Sequence, residues 1–250
     1  GNVNPIRDKE TIDIELQLKD LENVEKRLEK VKRAAKTGNK EAIVEETLLN
    51  RIRETLLQAK SARTITPQNN DEEVLMEGFQ LITAKPVLYV CNVDENSAVN
   101  GNKYVDQVRE LVKDEDAEVI VLSVGAEADI TELESYEERQ VFLEDMGLTE
   151  PGASVLIRAA YKLLKQQTYF TAGVKEVRAW TINVGSTAPQ AAGVIHTDFE
   201  KGFIRAEVIA YEDFVHYGSE AKCKEAGKFK VEGKEYIVKD GDVMHFRFNV

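Results

Sequence analysis

The sequence predicts an α/β protein made of a helical hairpin, a parallel sheet and a C-terminal unit of mixed strands. Residues 8–62 carry two apolar helical seams separated by a short turn. Residues 87–123 contain two apolar runs that begin about thirty residues apart, as in a strand–helix–strand unit. The last 84 residues show short strand patterns. With 250 residues, 42% of them hydrophobic, the chain can bury a core in each segment.

Two long helices are predicted near the N-terminus, over 8–36 and from about 40 to 62. In the first, apolar side chains recur at alternating steps of three and four residues: Leu21, Val24, Leu28, Val31 and Ala35. In the second, they recur at steps of four, with two neighbours that widen the stripe: Val44, Leu48, Ile52, Leu56, Leu49 and Leu57. A turn at Thr37-Gly38-Asn39 joins them. The pattern predicts an antiparallel hairpin arm whose seams bury each other.

The turn end of this hairpin is strongly basic, and we call it the arm tip. Fifteen residues with a single acid, Glu29, hold seven cations: Lys26, Arg27, Lys30, Lys32, Arg33, Lys36 and Lys40. The formal net charge of the chain is −12, but that excess acidity lies in residues 63–166. The arm tip is therefore free to meet a polyanion such as RNA. The alternative is a solvated helical face, which is what charge runs commonly form.

A strand, a helix and a second strand are predicted after the hairpin. The apolar runs 87–91 and 119–123 are the strands, and a helix over 103–113 connects them. Such a connection makes the strands parallel, and their continuous apolar character predicts burial on both faces. Ligands of these sheets bind outside the carboxyl ends of the strands. Residues 92–95 and 123–126 occupy those two ends.

Two short motifs at these ends carry a family resemblance. Asn92-Val93-Asp94-Glu95, together with Ser123-Val124-Gly125-Ala126, resembles the base-recognition pair of P-loop GTPases. The NxxE form of the first motif is typical of the YchF, or Obg-like ATPase, family. The opening segment 1–16 looks like that family's segment after its second switch, and residues 191–204 are similar to the signature of its C-terminal TGS domain. The resemblance covers essentially all 250 residues.

The resemblance implies the C-terminal part of a P-loop GTPase-like parallel sheet, with an inserted hairpin arm and a C-terminal β-grasp (TGS) domain. Residues 1–10 and 64–166 would then belong to the nucleotide-binding domain, 11–63 to the arm and 167–250 to the TGS domain. It further implies ATP in preference to GTP, with Mg²⁺ held in the family's N-terminal part. The base-reading residues would be Asn92, Val93, Glu95, Ser123, Val124 and Gly125.

The chemistry at Glu95 favours adenine over guanine. In the usual NKxD motif, a short Asp carboxylate accepts from N1–H and from the 2-amino group of guanine, and adenine lacks both donors. Here Val93 replaces the lysine whose stem would cover the base, and Glu95 is one methylene longer than Asp. The guanine clamp is therefore not reproduced. Taken alone, Asn92 and Glu95 equally suit a polar turn that caps the next helix.

The sequence contains no phosphate-binding loop. A P-loop requires G-x-x-x-x-G-K-S/T, because its backbone N–H groups and lysine hold the phosphates and its hydroxyl holds Mg²⁺. Gly227-Lys228 and Gly233-Lys234 do not fit, since Phe and Glu follow them. We therefore expect this chain alone to be inactive in hydrolysis, either as part of a longer protein or as a form that has lost the reaction.

The last 84 residues are predicted to form a β-grasp with one or two short helices. Its strands are expected at 168–171, 176–182, 204–210 and 243–248, and a hairpin turn at Glu232-Gly233-Lys234. The three histidines, His196, His216 and His245, lack the spacing of metal ligands, so no metal site is expected. His196 is predicted to hold a turn through side-chain to backbone hydrogen bonds.

Two functions remain open from the sequence. The first is a regulatory nucleotide-binding ATPase or GTPase of the YchF type that acts with the ribosome or RNA. The second is a non-catalytic module that grips a protein or RNA through its arm and TGS domain. No apolar run approaches the roughly 18 residues of a membrane span, and Cys91 and Cys223 are far apart, so a cytoplasmic protein is expected. Sequence-specific reading of DNA is not expected of so acidic a chain.

Overall fold

The computed structural model of the chain describes residues 2–173 and 176–249. Gly1, the first residue of the opening motif, lies outside them. The chain divides into two compact units, Gly1–Leu156 and Ile157–Val250. The architecture is mixed α/β, as the sequence predicts, with a parallel sheet in the first unit and a mixed sheet in the second.

The hairpin arm consists of α1 (Pro5–Lys36) and α2 (Lys40–Leu57). Asn39 caps α2 by accepting a hydrogen bond from the Ala42 backbone N–H at 3.0 Å, and Gly38 makes the turn possible with φ of +84°. At 1.5 Å per residue, the 32 residues of α1 extend for about 48 Å. The predicted seam is confirmed by a cluster of buried side chains: Val24, Leu28, Leu48, Leu49, Ile52 and Leu56.

The predicted seam of α2 is wrong at two positions, because Val44 and Leu57 keep 39% and 56% of their surface exposed. The buried face of α2 is instead shifted toward Leu49, which is fully buried. The helix also ends at Leu57 rather than near residue 62. A third helix, α3 (Asn70–Phe79), explains the change, since its apolar residues pack into the same cluster.

A partly buried ion pair joins α3 to the arm. Arg51 Nη1 donates to both carboxylate oxygens of Glu72 at 2.9 Å, and the Gln68 backbone N–H donates to Glu72 at 2.9 Å. The hydrogen bond from Gln68 and then the Arg51 guanidinium hold the pKa of Glu72 below its usual range. The arm base is therefore three helices thick.

The parallel sheet follows a 3₁₀ turn at Ile82–Ala84. It pairs β1 (Leu88–Asn92) with β2 (Glu118–Leu122), in a register that sets Asn92 beside Leu122. Burial on both faces of β1 was expected, but Val90 keeps 45% of its surface exposed, so the described residues leave one face of β1 open. The next helices in the chain are α4 (Lys103–Leu111), α5 (Val124–Glu132) and α6 (Tyr136–Asp145). The helix α7 (Gly152–Leu163) spans the boundary between the two units in the sequence.

The second unit contains a five-stranded sheet, whose strands lie side by side in the order β4 (Val177–Asn183), β3 (Gln166–Ala172), β7 (Val243–Phe248), β5 (Phe203–Ile209) and β6 (Lys230–Glu232). The strands that come first and last in the sequence, β3 and β7, are parallel neighbours at the centre of the sheet. The other pairs are antiparallel, which is the β-grasp arrangement. The core on one face includes Tyr169, whose hydroxyl donates to the Ala191 carbonyl at 2.9 Å.

Two details of this unit differ from expectation. Within the described part of residues 167–250, four short helices are present instead of one or two: α8 (Ala188–Ile195), α9 (Thr197–Lys201), α10 (Tyr211–Tyr217) and α11 (Glu220–Glu225). The hairpin turn predicted at 232–234 is also wrong, because β6 pairs with β5 whereas Ile237 bridges to Thr187. The prediction for His196 is confirmed, since its Nδ1 accepts from the Asp198 backbone N–H at 3.2 Å.

None of the helices in the described ranges combines the length and the apolar character that a membrane crossing requires.

Candidate functional site

The loops that follow β1 and β2 meet at one edge of the parallel sheet. Asn92 closes β1, and its Oδ1 accepts a hydrogen bond from the Val124 backbone N–H at 3.1 Å. The Val93 backbone N–H donates to the Leu122 carbonyl at 3.0 Å. The two motifs singled out in the sequence, 32 residues apart between Asn92 and Val124, are thus joined directly. We call this pair of loops the base edge.

Ser123 is the buried residue of the base edge, and a hydrogen bond holds its side chain in place. It is buried, and its Oγ accepts from the Ala126 backbone N–H at 3.4 Å, which caps the first turn of α5. The two residues after it behave differently, because Val124 keeps 55% of its surface exposed and Gly125 is exposed as well. The base edge therefore has a fixed Ser123 and an accessible apolar surface at Val124.

The capping role in the first loop belongs to Asp94. Its carboxylate accepts from the Ser97 backbone N–H at 3.1 Å and from the Ser97 hydroxyl at 3.0 Å. Neither Asn92 nor Glu95 caps the turn that follows, so the polar-turn interpretation of those two residues fails in its detail. The cap leaves the exposed Glu95 side chain directed toward the second loop.

Glu95 and Gly125 lie close together across the base edge. A Cβ placed on Gly125 would lie 3.6 Å from Glu95 Oε1 and 3.7 Å from Ser123 Oγ. Any larger side chain at 125 would fill the space between those two oxygens. The glycine therefore keeps open a small polar recess bounded by a carboxylate and a hydroxyl.

The arrangement suits the polar edge of a flat heterocycle. Because Val124 N–H is a donor, the atom of Asn92 that faces it is Oδ1, and the amide NH₂ of Asn92 is directed elsewhere as a donor. The exposed Val124 side chain offers an apolar surface beside that donor. Purine bases combine ring nitrogens that accept hydrogen bonds with apolar faces, so the donor and the surface match a purine.

We find no candidate site for nucleotide phosphates or Mg²⁺ among the described residues. They contain no group of three or more His, Cys, Asp or Glu side chains placed to hold a metal ion. The full sequence lacks a P-loop motif. We therefore assign no phosphate or metal step to residues of this chain.

The seven cations of the arm tip fall into two groups. Lys26 forms an ion pair with Glu22, while Arg27 pairs with Glu45 at 2.5 Å and places its guanidinium 4.6 Å from the centre of the Phe79 ring. The other five are exposed and form no ion pair with any residue in the described ranges: Lys30, Lys32, Arg33, Lys36 and Lys40. The tip beyond Lys26 and Arg27 therefore carries five uncompensated charges.

The base of the arm connects to β1 through a polar cluster that the sequence did not indicate. Lys9 on α1 pairs with Glu115 at 2.9 Å and with Asp13 at 2.6 Å, and the Tyr89 hydroxyl donates to Glu115 at 2.8 Å. Partial burial opposes the charge on Lys9, but the bonds to Asp13 and Glu115 raise its pKa above the usual range. Tyr89 lies three residues before Asn92 on the same strand, so this cluster links the arm to the base edge.

The fold and the base edge together define a nucleotide-binding protein with a helical arm and a β-grasp unit. Residues 166–249 match the family described as YchF-GTPase_C, a protein of unknown function. A protein of Haemophilus ducreyi named ribosome-binding ATPase YchF is 52% identical over all 250 residues, which cover 68% of its length. The protein of that name in Bacillus subtilis is 50% identical and also covered to 68%, and Obg-like ATPase 1 of Gallus gallus is 41% identical and covered to 64%.

A solved structure agrees with these matches. The YchF GTPase of Schizosaccharomyces pombe superimposes with a TM-score of 0.84 at 34% identity, over 99% of this chain and 67% of that one. The chain belongs to the YchF family of Obg-like, nucleotide-binding ATPases.

Proposed function

We propose that this chain supplies the base-recognition edge, the arm and the TGS domain of a cytoplasmic ATPase that acts on the ribosome. The hydrogen bond between Asn92 and Val124 carries the nucleotide part of the proposal, because it joins the loops of two parallel strands where ligands of such sheets bind. The names of the relatives supply the ribosome as partner. The residues of this chain are assigned no role in holding phosphates or Mg²⁺.

The base edge favours adenine over guanine. Glu95 borders the recess beside Gly125, and a carboxylate accepts hydrogen bonds but donates none at neutral pH. Its extra methylene moves the two oxygens away from the position in which a shorter Asp would meet both guanine donors. The exocyclic amino group of adenine is a donor that a carboxylate or the Ser123 hydroxyl can accept. ATP is therefore the preferred nucleotide, and GTP the weaker one.

Rebuilding the guanine clamp is expected to move this preference. The substitutions Val93→Lys and Glu95→Asp would be made in a chimera that carries the N-terminal third of the Haemophilus ducreyi relative ahead of residue 1. A buried hydrogen-bonding difference of this kind is worth about 1–3 kcal/mol, so the ATP-to-GTP affinity ratio should fall by roughly tenfold or more. Competition binding measures the ratio. The exposed substitution Asp106→Asn is the control, and an unchanged ratio in the double variant would show that these residues do not read the base.

The arm tip supplies the contact with ribosomal RNA. Its five uncompensated cations lie around and beyond Val31, the last residue of α1 that packs against the buried cluster, at the turn end of the hairpin. Each lysine or arginine that meets a phosphate releases a condensed counterion, which favours binding at low salt. The acidic residues 63–166 would repel RNA, so the basic end is the part of this unit that can approach it.

Reversing the charge of the tip is expected to weaken ribosome binding strongly. The variant Lys30→Glu, Arg33→Glu, Lys36→Glu removes three phosphate contacts and should lower affinity roughly 10²-fold at about 0.1 M salt. The slope of log affinity against log salt should also fall by about 2–3. Co-sedimentation with ribosomes at several salt concentrations measures both. The fold should survive, because all three side chains are exposed.

A matched variant separates local contact from net charge. Lys60→Glu, Lys85→Glu, Lys113→Glu makes the same change in total charge at exposed positions away from the tip. It should alter binding far less than the tip variant. Equal losses in the two variants would point to non-specific repulsion. An unaltered salt slope in the tip variant would instead leave the TGS domain as the part that grips the ribosome.

A further inference from the structure

The two edge strands of the β-grasp sheet are protected very differently. β6 has three residues, two of them charged, Lys230 and Glu232. Short strands and charges are the usual devices that keep a sheet edge from pairing with another chain. β4 has seven residues, contains no proline and pairs with β3 without a bulge. Arg178 is its one charged residue, and the guanidinium lies 4.1 Å from the centre of the Trp180 ring.

The ladder between β3 and β4 shows which backbone groups face the open edge. The Gly173 N–H donates to Glu176 O, and the Val184 N–H donates to Lys165 O, at the two ends of the ladder. Antiparallel strands alternate between bonded and non-bonded pairs. Even-numbered residues of β4 therefore bond to β3, and Val177, Ala179 and Thr181 direct their N–H and C=O groups outward. Within the described residues these outward groups have no hydrogen-bond partner.

We propose that β4 is a self-association surface, on which a second copy of this chain adds its own β4 in antiparallel orientation. The three open residues fix the register, because only a twofold axis at Ala179 sets Val177 opposite Thr181 of the second copy and each Ala179 opposite the other. That register pairs all six open groups of one copy with the six of the other. An isologous contact of this kind closes as a dimer.

In the same register, the side chains of β4 in one copy complement those of β4 in the other. On one face, Arg178 of each copy lies opposite Trp180 of the other, so each guanidinium can contact two indole rings. On the other face, Val177, 71% exposed, meets Thr181, and the small Ala179 meets its own copy. Residues 167–250 have a net charge of only −1, so this unit by itself carries little charge that would oppose self-association. The contact is small, and the dimer should be weak and strengthened by salt.

Charge substitutions at Ala179 test the register directly. In the wild type, sedimentation equilibrium should show a concentration-dependent rise from 28.1 kDa toward twice that mass. Ala179→Lys places two ammonium groups directly opposite each other and should weaken association at least tenfold, as should Ala179→Glu. An equimolar mixture of the two variants should associate again, because lysine then faces glutamate. Val231→Lys, on the protected edge strand β6 and 59% exposed, is the control and should behave as the wild type.

Three results would overturn the proposal: a wild type that stays at 28.1 kDa at every concentration, an Ala179→Lys variant that associates like the wild type, or a mixture that stays monomeric. Circular dichroism would check that each variant folds. If the Ala179 variants do not fold, Val177→Lys serves instead, since its position is largely exposed. That variant should lose association while its helical signal is unchanged, and retained association would count against the proposal.

Discussion

Purified on its own, the 250-residue chain is expected to release phosphate from neither ATP nor GTP above a protein-free blank. Electrostatic stabilisation of the transferred phosphoryl group is the main catalytic contribution in P-loop enzymes. These residues contain neither the P-loop lysine nor the hydroxyl that holds Mg²⁺. Losing both should lower the rate by several orders of magnitude relative to a relative that has them.

The same assay can test whether the chain supports hydrolysis when a P-loop is supplied. The Haemophilus ducreyi protein, 52% identical, is the positive control, and the chimera with that protein's N-terminal third should recover turnover. Gly125→Val in the chimera fills the recess between Glu95 and Ser123 and should raise KM for ATP. Turnover by the 250-residue chain alone, proportional to its concentration and abolished by Asn92→Ala, would show that the phosphate site lies within these residues.

The meeting of the two loops could be predicted from the sequence because its components are local, whereas their role in base recognition stays a prediction. Each loop follows a strand that its apolar run reveals, and parallel strands bring their carboxyl ends to the same edge. The hydrogen bond from Val124 to Asn92 is what that reasoning leads one to expect. The seam of α1 was equally accessible, since helical periodicity is a property of neighbouring residues.

Long-range polar contacts could not be predicted in this way. Glu115 contacts Lys9 from 106 positions away, and Arg27 is neutralised by Glu45 on the other helix of the arm. Together with the local pair of Lys26 and Glu22 on α1, this contact means that the charge count of the arm tip overstated its free cations by two. The wrong predictions at Val44 and Leu57 have the same cause. The helix that packs against the buried face of α2, α3, is too far along the sequence for helical periodicity to reveal it. Asp20 is the clearest case, because a charged residue on a long helix normally faces solvent.

Replacing Asp20 with alanine is expected to destabilise the first unit by roughly 3–5 kcal/mol. Asp20 is fully buried, and its carboxylate accepts from the backbone N–H groups of Ile82 and Thr83 at 2.9 and 2.7 Å. It also accepts from the Thr83 hydroxyl at 2.7 Å, whose oxygen accepts in turn from the Ala62 N–H at 3.1 Å. Alanine would leave two buried N–H groups and a hydroxyl without this acceptor. Each costs about 1–3 kcal/mol.

The measurement can be confined to the unit that holds Asp20. Far-ultraviolet circular dichroism is dominated by α1 and α2, whereas fluorescence of the single tryptophan, Trp180, reports the second unit. In urea, the helical transition of Asp20→Ala should move to lower concentration with its slope unchanged, and the tryptophan transition serves as internal reference. Glu25→Ala is the matched control on the same helix, since Glu25 makes an exposed pair with Arg53 at 3.3 Å that is worth about 0–1 kcal/mol.

Asp20→Asn distinguishes loss of the acceptor from loss of charge. Asparagine keeps one acceptor oxygen, which can serve either the Ile82 N–H, now bonded to Oδ1, or the Thr83 N–H and hydroxyl, now bonded to Oδ2. Its NH₂ donor then faces the groups that are not served, so an intermediate loss of about 2 kcal/mol is expected. The coupling between Asp20→Ala and Thr83→Val, measured in a double-mutant cycle, should exceed about 1 kcal/mol because the two side chains share a hydrogen bond. If Asp20→Ala lowers the free energy of unfolding no more than Glu25→Ala does, the hydrogen bonds of Asp20 do not stabilise the arm. The proposed stabilising connection from the arm to β1 through Ile82 and Thr83 would then be wrong.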